Sequence, residues 1–374
     1  MSDKLDKKTG RQLLANVRRV VIKLGTNAIC DHTGRLEIKT IRSLARQISS
    51  LMRDGLEVTV VASGAIGAGL GELDLAERPK TMPELQAIAA IGQGELMRAF
   101  HDAFASFGVH TAQLLLTRED FEDRTRYLNI RNNLRALQEM GALAIINEND
   151  AVAIDEIRYG DNDTIAAHVT GMLAAEVLIF LSSVDGVLDH GRRIGEIAHG
   201  DDSTLGLVTA EKSRHGSGGM ASKIAAAQLA TSSGEIAVIA NSRASDVVAQ
   251  ILAGQDVGTI FLPADRKLSS RLQWIGHASR PSGKLVVDNG AVEALVAGGK
   301  SLLPAGIAEV QGKFGKGDTV RIVDASGREF ARGMTNYNSD ALGQIKGLKS
   351  HQIAQVLGEK LYDEVIHRNN MTLR

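Results

Sequence analysis

The sequence has little of several residue types, and each shortage excludes a class of protein. The 374 residues include one cysteine, Cys30, so an internal disulfide is impossible and we expect a reducing compartment. We expect Cys30 to pack as a small apolar residue. The ten histidines show no spacing typical of zinc ligands, so we predict no dedicated metal site. Aromatic residues make up 3% of the chain, which leaves few rings for stacking nucleic-acid bases.

Long apolar runs and an excess of charge of one sign are also missing. The longest apolar run, residues 177–181, suits a buried strand and is far shorter than a membrane span. The N-terminal stretch MSDKLDKKTGRQLLANVRR lacks the apolar core of a signal peptide. With 43 Lys+Arg against 44 Asp+Glu, the net charge of -1 gives no general attraction to nucleic acid or to an anionic membrane. We therefore expect a cytoplasmic protein without membrane contact.

The chain is longer than one core usually serves, which predicts two domains. Short β-branched runs alternate with helical patterns up to about residue 262, as is typical of βαβ units around a mainly parallel sheet. The predicted strands are residues 20–24, 58–62, 111–116, 143–146, 177–181 and 236–240. The predicted helices are residues 38–52, 83–104, 127–140, 163–173 and 222–230. Such sheets bind ligands beyond the carboxyl ends of their strands.

The pattern changes after Arg280-Pro-Ser-Gly283. Short segments separated by turn signals predict a compact β-rich module with strands at residues 284–288, 307–310, 319–323, 329–334 and 342–345. We place the boundary within residues 263–281, so that one domain covers residues 1–265 and the other residues 280–374.

The most informative stretch is Gly216-Ser-Gly-Gly-Met-Ala-Ser-Lys223, which runs into an alanine-rich helical segment. Glycines allow close backbone approach, and a helix N-terminus with a lysine suits a phosphate. A solvated Gly/Ser surface loop explains the stretch equally well. Two other glycine-bearing strand ends, Lys23-Leu-Gly25 and residues 62–69, would meet at the same edge of a parallel sheet. Neither a G-x-G-x-x-G after a strand nor a G-x-x-x-x-G-K-[ST] motif is present.

Polar and acidic residues form a second group: Asn147-Glu-Asn-Asp150 follows the fourth strand, and Gly160-Asp-Asn-Asp163 opens a helix. Cap and turn chemistry is the structural alternative, and Asp163 fits an N-cap. For Asp150, directly after an apolar strand, we favour a functional role. Two lysines, glycine turns and carboxylates together indicate phosphoryl transfer, in which positioning and electrostatic stabilisation do most of the work. A carboxylate acceptor is already ionised at neutral pH and needs no general base.

These stretches together resemble the glutamate 5-kinases, a family with the amino-acid-kinase fold, followed by a PUA domain. The matching segments are Val21-Ile-Lys-Leu-Gly25, Ser63-Gly-Ala-Ile66, Leu116-Thr117 with Asp120, Ile145-Ile-Asn-Glu-Asn-Asp150, Gly160-Asp-Asn-Asp163 and Gly216-Ser-Gly-Gly-Met220 through Lys223. The tail is similar to a PUA domain through Asp288-Asn-Gly-Ala291, residues 301–306, residues 312–318 and Ile366-His-Arg368. The resemblance implies a three-layer α/β sandwich around a mainly parallel sheet.

The resemblance also implies a function and a set of site residues. The reaction would be ATP-dependent phosphorylation of the γ-carboxylate of L-glutamate, with Mg²⁺ arriving bound to ATP. Lys23 and Lys223 would hold the phosphates of ATP, and the carboxylate of Asp161 would orient these two lysines. The residues implied to bind glutamate are Ser63, Asn147, Asp150 and Asn162. The residues implied to bind the nucleotide are Lys23, Ser182, Ser183, Ser217, Gly218, Gly219, Met220, Ala221, Ser222 and Lys223. Ser182-Ser183 departs from the family's usual Thr-Asp and removes a carboxylate from the nucleotide contact.

The family further implies a homo-oligomer and transient contact with a glutamyl-phosphate reductase. One alternative is a sister kinase of the same fold acting on N-acetylglutamate, aspartate or a nucleotide. Asp150 weighs against an N-acylated substrate, because a carboxylate there suits a free ammonium group. The other alternative is RNA binding by the C-terminal module. We do not expect it, because the basic residues there are interspersed with acids and aromatics are scarce.

Overall fold

The computed structural model describes residues 10–31, 33–75, 77–152, 161–201, 203, 219–264, 268–359 and 362–373. The chain divides into two compact units. The first comprises Met1–Asp120 and Arg126–Lys267, and the second comprises Phe121–Thr125 and Leu268–Arg374. The sequence did not indicate that the five residues Phe121–Thr125 belong to the second unit.

The first unit is built on an eight-stranded sheet. The strands of this unit are β1 (Arg19–Leu24), β2 (Glu57–Ala62), β3 (Thr111–Leu116), β4 (Leu143–Glu148), β5 (Val177–Ser182), β6 (Leu188–Asp189), β7 (Arg192–Arg193), β8 (Glu196–Ile197), β9 (Ile236–Asn241) and β10 (Thr259–Phe261). The sheet order is β3-β4-β2-β1-β5-β9-β10-β8, while β6 and β7 form a separate ribbon. All pairings in the sheet are parallel except the antiparallel pair β9–β10. The predicted mainly parallel sheet is confirmed.

Helices connect these strands. Within the part of the chain that the structure describes, those that begin before residue 265 are α1 (Thr26–Ile29), α2 (Ile38–Arg53), α3 (Ala65–Glu72), α4 (Met82–Ala105), α5 (Arg118–Glu122), α6 (Arg124–Glu139), α7 (Asp161–Leu173), α8 (Gly219–Ser232) and α9 (Val247–Leu252). The bounds of the predicted helices differ from the observed bounds by at most three residues. Helix α3 was missed, because its glycine-rich sequence was interpreted as a strand-end turn. Among the described residues, no helix is long and apolar enough to cross a membrane.

The central strands are buried along almost their whole length, and their side chains form the main core together with α2 and α4. Helices α3 and α4 pack with almost no space between their backbones. A Cβ atom added at Gly92 of α4 would lie 1.9 Å from the carbonyl oxygen of Ala65. Gly92 is therefore required for this close approach, and Gln93 follows it directly in α4.

The second unit contains a five-stranded sheet of order β12-β11-β13-β14-β15. Its strands are β11 (Gly283–Val287), β12 (Ile307–Gly312), β13 (Thr319–Val323), β14 (Glu329–Met334) and β15 (Met371–Leu373), and its helices are α10 (Ser270–Gln273), α11 (Asn289–Val296), α12 (Ser339–Ile345) and α13 (Ile353–Leu357). The sheet has its own apolar core, which includes Leu285 and Ile322. Within this unit the indole N–H of Trp274 donates to the carbonyl oxygen of Phe121 at 2.9 Å.

The strand predicted at residues 342–345 is wrong, because these residues form the end of helix α12. The Asn338 side chain caps the helix by accepting a hydrogen bond from the Ala341 amide at 2.8 Å. Leu342 and Ile345, three residues apart, both point into the core from one helix face. The cap and this spacing were signals of a helix in the sequence.

Candidate active site

The ends of the central parallel strands meet at one edge of the sheet. Lys23, the fifth residue of β1, lies opposite Val61 of β2 and Phe180 of β5. Just beyond these strands, the amide of Ser63 donates to Leu24 at 2.9 Å and the amide of Gly25 donates to Leu181 at 3.2 Å. The two predicted glycine-bearing strand ends are therefore neighbours, as the parallel arrangement required.

A carboxylate lies between the two predicted lysines at this edge. The Lys23 ammonium is 2.6 Å from one oxygen of Asp163, and the Lys223 ammonium is 3.3 Å from the other. Ser222 donates to the second oxygen at 2.7 Å. Lys223 also donates to the carbonyl oxygen of Gly219 at 2.9 Å. One aspartate thus joins β1, the first turn of α7 and the N-terminal end of α8.

All three charged side chains of this group are buried: 5% of the Lys23 side chain, 1% of Asp163 and 10% of Lys223 are exposed. Burial opposes the ionised form of Asp163, but Lys23, Lys223 and the hydrogen bond from Ser222 outweigh it and lower the pKa of the carboxyl group. Burial and the neighbouring Lys223 lower the pKa of Lys23 despite the attraction of Asp163. Among the described residues of this group, two lysines share one carboxylate, an arrangement suited to an anionic ligand.

Asp163 contacts both lysines, whereas the sequence interpretation gave the orienting role to Asp161, which stays a prediction. Helix α7 begins at Asp161, so Asp163 is the third residue of the first turn and the N-cap alternative for it is wrong. The side chain of Asp161 lies outside the described residues. Three consecutive polar residues open this helix, and the helix register decides which one faces the lysines. That register was not visible from the sequence.

The predicted glutamate-binding residues Asn147 and Asn162 contact each other through their side-chain amides. Asn162 Nδ2 donates to Asn147 Oδ1 at 3.0 Å, and Asn147 Nδ2 donates to Gln93 Oε1 at 2.7 Å. The backbone amide of Glu148 donates to both asparagines, at 2.9 Å to Asn147 Oδ1 and 3.2 Å to Asn162 Oδ1. Gln93 was not predicted, although a glutamine beside the apolar stripe of α4 was a signal.

The other predicted residues are distributed around the same strand ends. Ser63 and Asp150 are half-buried just beyond β2 and β4. Ser182 is half-buried at the end of β5, and Ser183, which follows it, is exposed. In the first turn of α8, Gly219 contributes its carbonyl oxygen to Lys223, and Met220 and Ala221 follow it. The predicted Ser217 and Gly218 lie outside the described residues.

A buried lysine–carboxylate–lysine group at the ends of parallel strands is suited to phosphoryl transfer, in which charge on the moving group has to be stabilised. The sequence profile described as the amino acid kinase family matches residues 18–241, and that of the PUA domain matches residues 283–357. The chain therefore belongs to the amino acid kinase family.

The most similar relatives include the glutamate 5-kinases of two bacteria. That of Caldanaerobacter subterraneus subsp. tengcongensis is 46% identical over 362 residues, covering 95% of this chain and 97% of that protein. That of Moorella thermoacetica is 42% identical over 373 residues, covering 96% and 97%. The structure of carbamate kinase from Giardia lamblia bound to AMP-PNP has 19% identity and a TM-score of 0.49, and it covers 67% of this chain and 100% of that one.

Proposed function

We propose that this chain is an ATP-dependent glutamate 5-kinase that converts L-glutamate to L-glutamyl 5-phosphate, the first step of proline biosynthesis. The observation that carries the proposal is the Lys23–Asp163–Lys223 group at the strand ends. Full-length similarity to proteins named glutamate 5-kinase supports the choice of substrate.

The two lysines are suited to the phosphate side of the reaction. An ammonium group is a compact charge with three donors, and Asp163 fixes the direction of both lysines without neutralising them completely. We assign Lys23 and Lys223 to the phosphates of ATP and to the charge that develops on the moving phosphoryl group. Ser182, Ser183 and the N-terminal turn of α8, from Gly219 to Ser222, would line the nucleotide site, with Ser217 and Gly218 as further predicted members.

We assign glutamate binding to the predicted set Ser63, Asn147, Asp150 and Asn162. Asp150 would accept hydrogen bonds from the substrate ammonium, and the amides would hold its α-carboxylate. A γ-carboxylate oxygen of glutamate attacks the γ-phosphorus of ATP, the bond from that phosphorus to the bridging oxygen breaks, and ADP leaves with those electrons. No proton has to be removed from the acceptor, which agrees with a site that depends on lysines.

The residues present fit a magnesium nucleotide better than a resident metal. Among the described residues, no group of three or more His, Cys, Asp and Glu side chains could hold a metal ion. The positive charge of the lysine group fits anionic phosphates, whose oxygens are the preferred ligands of Mg²⁺ in kinase sites. When bound, Mg²⁺ would reduce the phosphate charge that the lysines have to stabilise.

The test is a hydroxamate-trapping assay with ATP, Mg²⁺ and glutamate. An acyl phosphate reacts with hydroxylamine to give γ-glutamyl hydroxamate, so the proposal predicts that product together with ADP. Parallel reactions with N-acetylglutamate, aspartate and UMP separate the sister kinases, because each would release ADP with its own substrate. Lack of hydroxamate with glutamate, alongside ADP release with another acceptor, would contradict the proposal.

As partners we propose a second copy of the chain and, transiently, a glutamyl-phosphate reductase, and as location the cytoplasm. We do not propose RNA binding by the PUA domain. Several of its basic side chains are engaged within that unit: Arg328 pairs with Asp324, Arg332 pairs with Glu329, and Lys316 lies 4.6 Å from the ring centre of Tyr362.

A further inference from the structure

The hydrogen-bond capacity of Asn147 is taken up almost entirely by protein groups. Its Oδ1 accepts from the Glu148 amide and from Asn162 Nδ2, which uses both lone pairs. Its Nδ2 donates to Gln93 Oε1 at 2.7 Å, and the residue is 2% exposed. Only one N–H of the Asn147 amide takes no part in these bonds. Asn147 therefore makes most of its hydrogen bonds to neighbouring protein groups and has one N–H left for a ligand.

Gln93 is bound through one end of its amide. Its Oε1 accepts from Asn147, whereas its Nε2 is buried and has no hydrogen-bond partner among the described residues. A buried donor without a partner costs about 1–3 kcal/mol. An apolar side chain of similar length would avoid that cost. The glutamine is therefore explained by what its oxygen does, which is to fix the orientation of the Asn147 amide.

The orientation of Asn147 decides that of Asn162. If the Asn147 amide turned over, its Nδ2 would face Asn162 Nδ2 and two donors would oppose each other. Two groups hold the Asn147 amide: the backbone N–H of Glu148 donates to its Oδ1, and Gln93 Oε1 accepts from its Nδ2. With both in place, Asn147 Oδ1 faces Asn162 and holds its Nδ2 at 3.0 Å. Asn162 directly precedes Asp163, the residue between the two lysines. The amide chain from Gln93 thus ends at the first turn of α7.

We infer that Gln93 is a positioning residue for the acceptor substrate, acting through Asn147 on the side chain of Asn162. The inference rests on the proposed glutamate 5-kinase function and adds a residue to it. Within the proposed glutamate-binding set it gives Asn147 an orienting role beside any contact that its remaining N–H makes with the substrate. Gly92 contributes as well, because it allows the close packing of α4 on α3 that places the next residue, Gln93, at Asn147.

The first experiment compares Gln93→Met with the wild type in the hydroxamate assay, varying glutamate and ATP separately. Loss of the oxygen leaves the Glu148 amide as the remaining main-chain hold on Asn147 and loosens the position of Asn162, so we expect the KM for glutamate to rise about tenfold, the equivalent of one hydrogen bond. We expect kcat and the KM for ATP to stay within about twofold, because the lysine group is unchanged. The matched control is Gln138→Met on α6, which also removes a glutamine whose Nε2 is buried without a partner. It should leave both KM values unchanged.

Two further variants distinguish a relay from a direct contact. If Gln93 acts through Asn147, the pair Gln93→Met and Asn147→Ala will be non-additive, and the second change will have little effect on the KM for glutamate once the first is present. Gln93→Glu keeps an oxygen acceptor for Asn147, so its KM for glutamate should lie closer to wild type than that of Gln93→Met. A direct donation from Nε2 to glutamate predicts the reverse, because the carboxylate loses the donor and repels the substrate.

Additive effects of Gln93→Met and Asn147→Ala, a larger loss in Gln93→Glu than in Gln93→Met, or a glutamate KM unchanged in all variants would overturn the inference. Wild-type protein that gives no γ-glutamyl hydroxamate would instead contradict the proposed function. The two failures are therefore distinguishable. The thermal midpoint of each variant is measured alongside. If Gln93→Met does not fold, the comparison of Gln93→Glu with wild type and with Asn147→Ala decides the question.

Discussion

Replacement of Asp163 by Asn is the most informative perturbation of the lysine group. The change keeps the size of the side chain and removes its charge, which leaves two buried ammonium groups facing each other. At an effective dielectric constant of about 20, unit charges 2.6 Å apart attract by roughly 6 kcal/mol. Dehydration of the charges offsets part of that attraction, and breaking a buried ion pair typically costs about 3–5 kcal/mol of folding free energy.

Catalysis should suffer together with stability. The lysines of Asp163→Asn keep their charges less readily and lose their fixed direction, so we expect kcat in the hydroxamate assay to fall about 10²–10³-fold, as after loss of one preorganised group. Burial and Lys223 already lower the pKa of Lys23, and Asp163 is the group that raises it. Its removal lowers that pKa further. Activity that needs the ammonium is present below this pKa and is lost above it, so the alkaline limb of the pH–rate profile should move to lower pH.

Exposed Asp74 provides the control for this variant. It pairs with Arg35 at the surface, with 77% of its side chain exposed, so Asp74→Asn should change the free energy of unfolding by less than about 1 kcal/mol and leave kcat unchanged. Asp161→Asn tests the sequence-based prediction that Asp161, in Gly160-Asp-Asn-Asp163, orients the two lysines. Urea denaturation and steady-state kinetics measure both effects. A near-wild-type kcat and an unmoved alkaline limb in Asp163→Asn would refute the reasoning about the lysine group.

Three further predictions follow from single residues. Lys23→Ala and Lys223→Ala should each lower kcat at least about 10²-fold in steady-state assays; near-wild-type values in both would remove their assigned roles. Gly92→Ala places a Cβ 1.9 Å from the Ala65 carbonyl oxygen, so urea denaturation should show a loss of about 1–3 kcal/mol. Burial, with Asp31 and Glu37, raises the pKa of the Cys30 thiol to about 12, so native protein at pH 8 should resist thiol reagents that label it after unfolding.

Much of the architecture follows from local sequence patterns. The short apolar runs that became β1, β2, β3 and β5 were separated by helical periodicity, which predicted a parallel sheet and its ligand-binding edge. Two elements were assigned wrongly because their amino-acid composition is typical of another kind of structure. The glycine-rich helix α3 was interpreted as a turn, and residues 342–345 were interpreted as a strand despite the Asn338 cap.

Some residues of the candidate site were likewise predicted from local sequence and others were not. Lys23 at a strand end and Lys223 in the first turn of a glycine-led helix were predictable, because strand and helix ends carry a recognisable local sequence. The carboxylate that contacts both lysines was not predictable from the local sequence. The sequence interpretation gave the orienting role to Asp161 and considered Asp163 an N-cap, whereas the register of α7 against β1 and α8 brings Asp163 to the lysines.

The sequence alone therefore determined the fold class, and it predicted the edge of the sheet and the two lysines that we assign to the site. These features depend on the periodicity and turn residues of short stretches of the chain. Tertiary structure decided which carboxylate joins the lysines and that Gln93 orients Asn147, 54 residues away. It also decided that Phe121–Thr125 belongs to the second unit. Such contacts depend on how closely distant elements pack, which no local pattern specifies.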